Sequence, residues 1–318
     1  MTRVSSILLR VAALFAFFLP LISCNTGIEG TKTIKMSGAD RRALQLTPDD
    51  HVMDSIFPQP LKDWRKGKRF LVTDNRAALI FDSNSEGLAA GDSLRGETIV
   101  YDGVTSRRNP DGREECQVVF LRNGKRLLYS TRKSHYDALE QISSVEVPML
   151  IDLDLVDKTR QRLSGRRLWT LSALWYDAQG EKKQGRKFAP VTVTDVAPGD
   201  MVFPLLVSFR TDSGDSASML MNVASGEEGS GRESRLFPSL FSLSDPKEKY
   251  PGIAPEIWDL ICQGKVREGM TKEECKLAIG NPKEVASGND WNNILDIWEY
   301  SDGTFLTFKD GLLVKFRH

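Results

Sequence analysis

The sequence is poor in the residues that most catalytic and metal centres need. Among 318 residues there are three histidines (His51, His135, His318) and four cysteines (Cys24, Cys116, Cys262, Cys275). No two cysteines form a C-x-x-C pair, and the scattered histidines do not supply the missing ligands of a structural zinc site. There is no G-x-S-x-G, no glycine-rich phosphate loop and no spacing that pairs a nucleophile with a base. Net charge is also lacking: 43 basic residues face 43 acidic ones. That balance leaves no footprint for nucleic acid or for an anionic lipid surface. The expectation is a chain without cofactor, metal or nucleic-acid partner. The apolar run from Val11 to Ile22 has about a dozen residues where a bilayer span needs roughly 20, and no later run could span either.

That short run has Arg3 and Arg10 before it, Pro20 inside it and small residues after it, the layout of a secretory signal peptide over residues 1–23. Leu21-Ile22-Ser23-Cys24 resembles the lipobox of bacterial lipoproteins. The resemblance implies cleavage before Cys24, a diacylglycerol thioether on its sulfur and a third acyl chain on the freed amine. Several chains make a lasting anchor, at about 0.8 kcal/mol per buried methylene, where a single chain binds reversibly. Without Arg3 and Arg10 the chain would carry 41 basic and 43 acidic residues. Asn25, by analogy with lipoprotein sorting, implies passage to the outer membrane, on its periplasmic face.

Residues 24–66 start as a polar, glycine-bearing tether, with Ile56, Phe57, Leu61 and Trp64 placed to lie along a folded surface. From Arg69 the pattern turns to strands: residues 69–74, 77–82, 97–103 and 116–131 are β-branched or aromatic and bounded by Gly, Asn and Asp. Asn123-Gly124 predicts a type I′ hairpin turn. The order of elements recurs after residue 146, with Leu94-Arg95-Gly96 set against Leu163-Ser164-Gly165 and a longer polar insert at 177–200, whose 177–187 stretch should protrude. The expectation is two small antiparallel β modules, 67–145 and 146–230, each a barrel of the Src-homology-3 (SH3-like) type, then a connector over 231–253.

From Ala254 the period becomes helical. Ile257, Trp258 and Ile261 share a face, and Gly264 ends the run. Thr271 and Glu274 form a capping box for a second helix, closed by Gly280 and Pro282. Three strands follow at 294–301, 304–310 and 312–318, joined by Asp-Gly turns. Alternation in the last puts Leu312, Val314 and Phe316 on one face, which the helices should cover. Gly269-Met270-Thr271, the helix ending in Gly280-Asn281-Pro282, Trp298-Glu299-Tyr300 and the Asp310-Gly311 turn resemble the SmpA/OmlA (BamE-like) family of small outer-membrane lipoproteins. The resemblance covers about the last fifth of the chain and implies an ααβββ two-layer α+β domain at 254–318. The family is essentially tether plus this unit, so the large β region departs from it. The whole chain also resembles uncharacterised Bacteroidetes lipoproteins.

The remaining chemistry is thin. Cys262 and Cys275 fall close together on the two expected helices, as a disulfide closing a short loop or as two core thiols, and both alternatives stay open. Cys116 reads as a strand residue. Asp152, Asp154 and Asp157 lack the glycine and distant glutamate of a calcium loop and read as a solvated strand face. Ser213–Ser216 read as a loop, and Trp169 and Trp175 as core and strand residues. The expected fold is mostly β with a small α+β C-terminal domain. The expected function is that of a non-enzymatic envelope lipoprotein, held to the membrane by its N-terminal lipid and binding or scaffolding another protein, in envelope or outer-membrane protein assembly. The alternative is a periplasmic enzyme or inhibitor acting on a cell-wall or peptide ligand.

Overall fold

The structure is a computed structural model that describes residues 48–49, 51–89, 91–140, 146–223, 235–290 and 293–317. The expected signal peptide, Cys24 and residues 24–47 of the tether lie outside the described residues. The described chain is mostly β, with sixteen strands in three antiparallel sheets and five short α-helices.

The first sheet contains β1 (Arg69–Val72), β2 (Thr98–Arg108), β3 (Glu114–Arg122), β4 (Lys125–Ser130) and β5 (Leu150–Asp152), in the order β4-β3-β2-β1-β5. Asn123 (φ 51°) and Gly124 (φ 78°) turn β3 into β4, the left-handed pair a type I′ turn requires. Helix α1 (His135–Glu140) leads into β5. Phe70, Ile99, Tyr101, Phe120 and Leu127 form the core beneath. The expected tether joins that core: Leu61 and Trp64 are buried, and the Trp64 ring lies 5.0 Å from Phe70 and 5.3 Å from Tyr101. Ile56 is buried as well, while Phe57 stays exposed. Burying three large apolar groups offsets the entropy of ordering this stretch, which composition alone made look like linker.

The second sheet follows helix α2 (Leu153–Leu163). Its strands are β6 (Arg167–Thr170), β7 (Leu174–Tyr176), β8 (Lys182–Gln184), β9 (Pro190–Pro198), β10 (Leu205–Thr211), β11 (Ser216–Met221) and, after helix α3 (Phe237–Leu240), β12 (Phe241–Ser242). The order is β12-β6-β9-β10-β11-β7-β8. Apart from the β7–β8 hairpin this repeats the first sheet strand for strand. The match extends to single hydrogen bonds. Gly67 N donates to Tyr101 O and Tyr101 N to Lys68 O; Gly165 N donates to Val193 O and Val193 N to Arg166 O. Each sheet has its bulge one residue after these partners: β2–β3 slips between Tyr101 and Gly103, and β9–β10 between Ser208 and Phe209, the partner of Val193.

Three expectations change. Gly165 corresponds to Gly67, not Gly96. The boundary between modules is not at 145/146, because β5 pairs with β1 (Leu71 opposite Ile151), and β12, from the expected connector, pairs with β6 (Phe241 opposite Thr170). Both closing strands are brief and pair across long sequence gaps, so no local pattern marks them. Finally, neither sheet closes into a barrel: the end strands β4 and β5 are not paired with one another.

Asp152, Asp154 and Asp157 do not line a strand either. Asp152 ends β5 and caps α2, its carboxylate accepting from the Asp154 and Leu155 amides. It also receives the buried Lys68 ammonium at 2.5 Å. Aspartate is a poor strand residue and a strong N-cap, and Leu155, Val156, Thr159 and Leu163 supply the buried face of α2.

The third sheet is β13 (Glu284–Asp290), β14 (Asn293–Glu299), β15 (Phe305–Lys309) and β16 (Leu312–Arg317), in sequence order, under helices α4 (Pro255–Cys262) and α5 (Lys272–Ile279). It has four strands where three were expected. The capping box forms: Thr271 Oγ1 accepts from Glu274 N, and Thr271 N donates to the Glu274 carboxylate at 2.7 Å. Residues 185–188 fasten this unit to the second sheet. Arg186 pairs with Asp259 at 2.6 Å, Lys187 N donates to Cys262 O, and the Lys187 ammonium donates to Ala278 O at 2.7 Å, closing the C-terminus of α5. Phe188 enters the third core with its ring 5.6 Å from Trp258. The insert expected to protrude therefore divides: residues 178–184, the turn after β7 and β8 itself, are exposed, and the return limb docks. Gly185 permits this, because a Cβ there would sit 2.1 Å from the Trp175 ring.

Candidate interaction surface

The third sheet has one face under the helices and one in solvent, and cross-strand pairing assigns residues to each. Trp298 opposes Leu306, and both are buried against Cys275, Ala278 and Met270. The Trp298 ring lies 4.5 Å from Phe308, and the Lys276 ammonium sits 5.3 Å from its centre. Asp296 shares this inner face. Nearly covered, it accepts from Lys272 and from Ser287, and these partners hold its carboxyl below the ordinary range, Lys272 contributing most.

The outer face consists of three rows that cross all four strands. Glu284, Glu299, Phe305 and Arg317 form the first; Ala286, Ile297, Thr307 and Lys315 the second; Gly288, Leu295, Lys309 and Leu312 the third. Every one of these residues is exposed or half-buried. Arg317 stacks 5.3 Å from the Phe305 ring, its cross-strand neighbour. The acids lie on β13 and β14, the bases on β15 and β16, and apolar groups between.

The expectation that the helices cover Leu312, Val314 and Phe316 together fails. The register of β15–β16 slips beside Thr307 and Phe308, leaving Val314 unpaired, so residues before and after the bulge change faces. Leu313 opposite Phe308 is the buried one, Leu312 turns outward with Lys309, and Phe316 returns to the side of Leu306 at the sheet margin. A pattern of strict alternation cannot show such a switch. The consequence is that Leu312 joins Leu295 on the open face. Of the eleven large hydrophobic residues that are exposed among those described, six are on this sheet: Val285, Ile294, Ile297, Leu312, Val314 and Phe316. Val285, Ile294 and Phe316 lie on the helix side at the sheet margins and Val314 in the bulge, while Ile297 and Leu312 join Leu295 and Phe305 on the open face. Scattered exposed hydrophobics are ordinary, and it is this strip on an open face that makes a candidate interaction surface.

The other singled-out residues take structural places. Cys262 and Cys275 are free thiols buried in the third core, so the disulfide alternative is not realised. Burial raises both, and Cys275 to about 12. Cys116 is a buried strand residue whose thiol burial also raises. Trp175 is buried with its ring 5.1 Å from Phe209, and Trp169 is half-buried beside Arg167. Thr211, Ser213 and Asp215 tie one another together in the β10–β11 turn. His51 pairs with Asp54, and His135 lies 3.4 Å from Ser106. No group of three or more potential metal ligands is found among the described residues. A cleft between Ser172, Leu174, Met219, Arg235 and Leu240 holds about 60 Å³, room for one or two waters, where ligand pockets occupy roughly 300–1,000 Å³. Cys24 lies outside the described residues, and no described helix is long and apolar enough to cross a membrane. Set against protein-family models, curated proteins and solved structures, the chain matches none of them.

Proposed function

We propose that this chain is a cell-envelope lipoprotein, anchored through Cys24 at the periplasmic face of the outer membrane, that acts without catalysis by binding protein through the open face of its C-terminal sheet. The observation that carries the reading is the apolar strip of Leu295, Ile297, Phe305 and Leu312 on that face, with Ile297 and Leu312 at 40% and 47% exposure. Charge at both margins and apolar groups between is the layout of a protein contact, with a polar rim around a water-excluding centre. Two features of the fold support the finer assignments. The order β5-β1-β2-β3-β4, with a turn of helix before the last strand, is the strand order of an SH3-like module, and the second sheet repeats it. Two helices over an antiparallel meander agree with the SmpA/OmlA (BamE-like) resemblance, from which the fourth strand departs. The test is Ile297→Asp in the full-length protein. Proteins crosslinked to it in native membranes should be lost, while its own solubility and membrane attachment persist. An unchanged crosslinking pattern would count against this face as the binding surface.

A further inference from the structure

We infer that the protein which covers this face is a second copy of the same chain. The inference rests on the proposed binding role of the face and names its occupant. Charge is arranged on this face so that it complements itself. Along the first row the sequence across the sheet is Glu284, Glu299, Phe305, Arg317; in the second and third rows the only charges, Lys315 and Lys309, lie on β16 and β15. Turn a second copy about a two-fold axis that runs parallel to the strands, between β14 and β15. Its β13 then comes to lie over β16 of the first copy, and its β14 over β15, each row remaining over its own row. Glu284 of one copy meets Arg317 of the other, twice. Ile297 lies over Thr307, Leu295 over Lys309 and Phe305 over Glu299, so the apolar contact is the one about the axis, where Ile297 and Thr307 of each copy meet side by side. Such an isologous contact needs a patch complementary to itself under the rotation, and a face acidic on one side and basic on the other satisfies that requirement.

Other occupants fit less well. An anionic membrane would meet Glu284 and Glu299 on the same plane as the bases, and an acidic protein would meet the same obstacle. Among the described residues the ion-pair partner of Glu284 is Lys283, at 3.5 Å with both side chains more than half exposed, a pairing of the kind that contributes little. Arg317 covers the Phe305 ring and has no carboxylate partner among the ion pairs of the described residues. Size sets the strength. Four strands about 4.8 Å apart and five residues of about 3.4 Å rise give a face of roughly 19 by 17 Å. Two such faces bury less than the roughly 1,200 Å² of a standard stable interface. The pairing is therefore weak and reversible, and anchoring both copies to one membrane would raise their effective concentration.

Sedimentation velocity of the full-length protein in mild detergent, across the micromolar range and at low and high salt, tests this. The wild type should sediment faster as concentration rises, and high salt should weaken the effect. Arg317→Glu and Glu284→Arg should each weaken association about tenfold or more, and the double swap should restore it. A wild type whose sedimentation is independent of concentration, single variants without effect, or a double variant no better than the singles would overturn the inference. The Ile297→Asp crosslinking result separates the two claims. If the wild type does not self-associate but Ile297→Asp still loses its crosslinked proteins, self-pairing falls and the binding surface stands. If Ile297→Asp changes neither, both fall.

Discussion

Replacing Phe188 by alanine should loosen the C-terminal unit although Phe188 belongs to the segment between β8 and β9. Its side chain is 6% exposed, lies within the third core and meets the Trp258 ring edge-on at 5.6 Å. Its backbone sits at φ 55°, a conformation that bulky residues avoid at a cost of about 1–3 kcal/mol. The bonds on either side hold it there: Lys187 N to Cys262 O, and Phe188 N to Thr170 O. Alanine keeps the backbone penalty and loses the packing, and truncating a buried phenylalanine costs about 3–5 kcal/mol. At roughly 0.05–0.15 kcal/mol per residue, a unit of about 64 residues has some 3–10 kcal/mol in all, so the loss is a third of it or more. Hydrogen exchange reads this directly. Amides of α4 and α5 should exchange about two to four orders of magnitude faster, while β2 and β3 of the first sheet keep their protection. Phe188→Leu, which retains most of the packing, should recover much of the loss. Exchange in α4 and α5 within a few-fold of wild type, or an equal loss in both regions, would refute the view that Phe188 is part of the third core.

The remaining predictions concern charge, thiols and the anchor. The folded-state pKa of Asp296 is lowered, so its contribution to stability is fully present above the unfolded value of about 4 and is lost as pH falls through the folded one. Asp296→Asn should cost about 1–3 kcal/mol near neutral pH and flatten the acid limb of a thermal-melt series, and an unaltered acid limb would show that the contact with Lys272 contributes nothing. In a Cys24→Ala protein the three remaining thiols, all buried and all raised by burial, should react with an aromatic disulfide reagent only on unfolding. One thiol titrating rapidly in the native protein would contradict their burial. Cys24→Ala should also release the protein into the soluble fraction, and a variant that stays membrane-bound after a high-salt wash would exclude the lipid anchor.

Local chemistry was legible in the sequence wherever a few neighbouring residues decide the conformation. Asn123-Gly124, the Thr271–Glu274 capping box and Gly280 at the end of α5 each behave as expected, because turn and cap geometry depend on side chains within four positions. Helix α2 was hidden by three aspartates that looked like a strand's polar face, one of which caps the helix. Strand β13 was missed because Glu284–Asp290 carries Gly, Asn and Asp, and its pairing with β14 overrides that weak propensity. The binding face was legible only in part. Its apolar residues stood out, but the bulge at Val314 decides which of them reach solvent, and a bulge is a property of two paired strands.

Photo-crosslinking in intact cells reads directly whether the open face of the C-terminal sheet binds protein. A photoreactive amino acid replaces Ile297 on the open face or, as a control, Lys183 on the exposed β8 strand. Discrete protein adducts are expected from position 297 and none above background from position 183. Equal labelling from both positions, or none from 297, would contradict the assignment of that face as the surface through which this chain works.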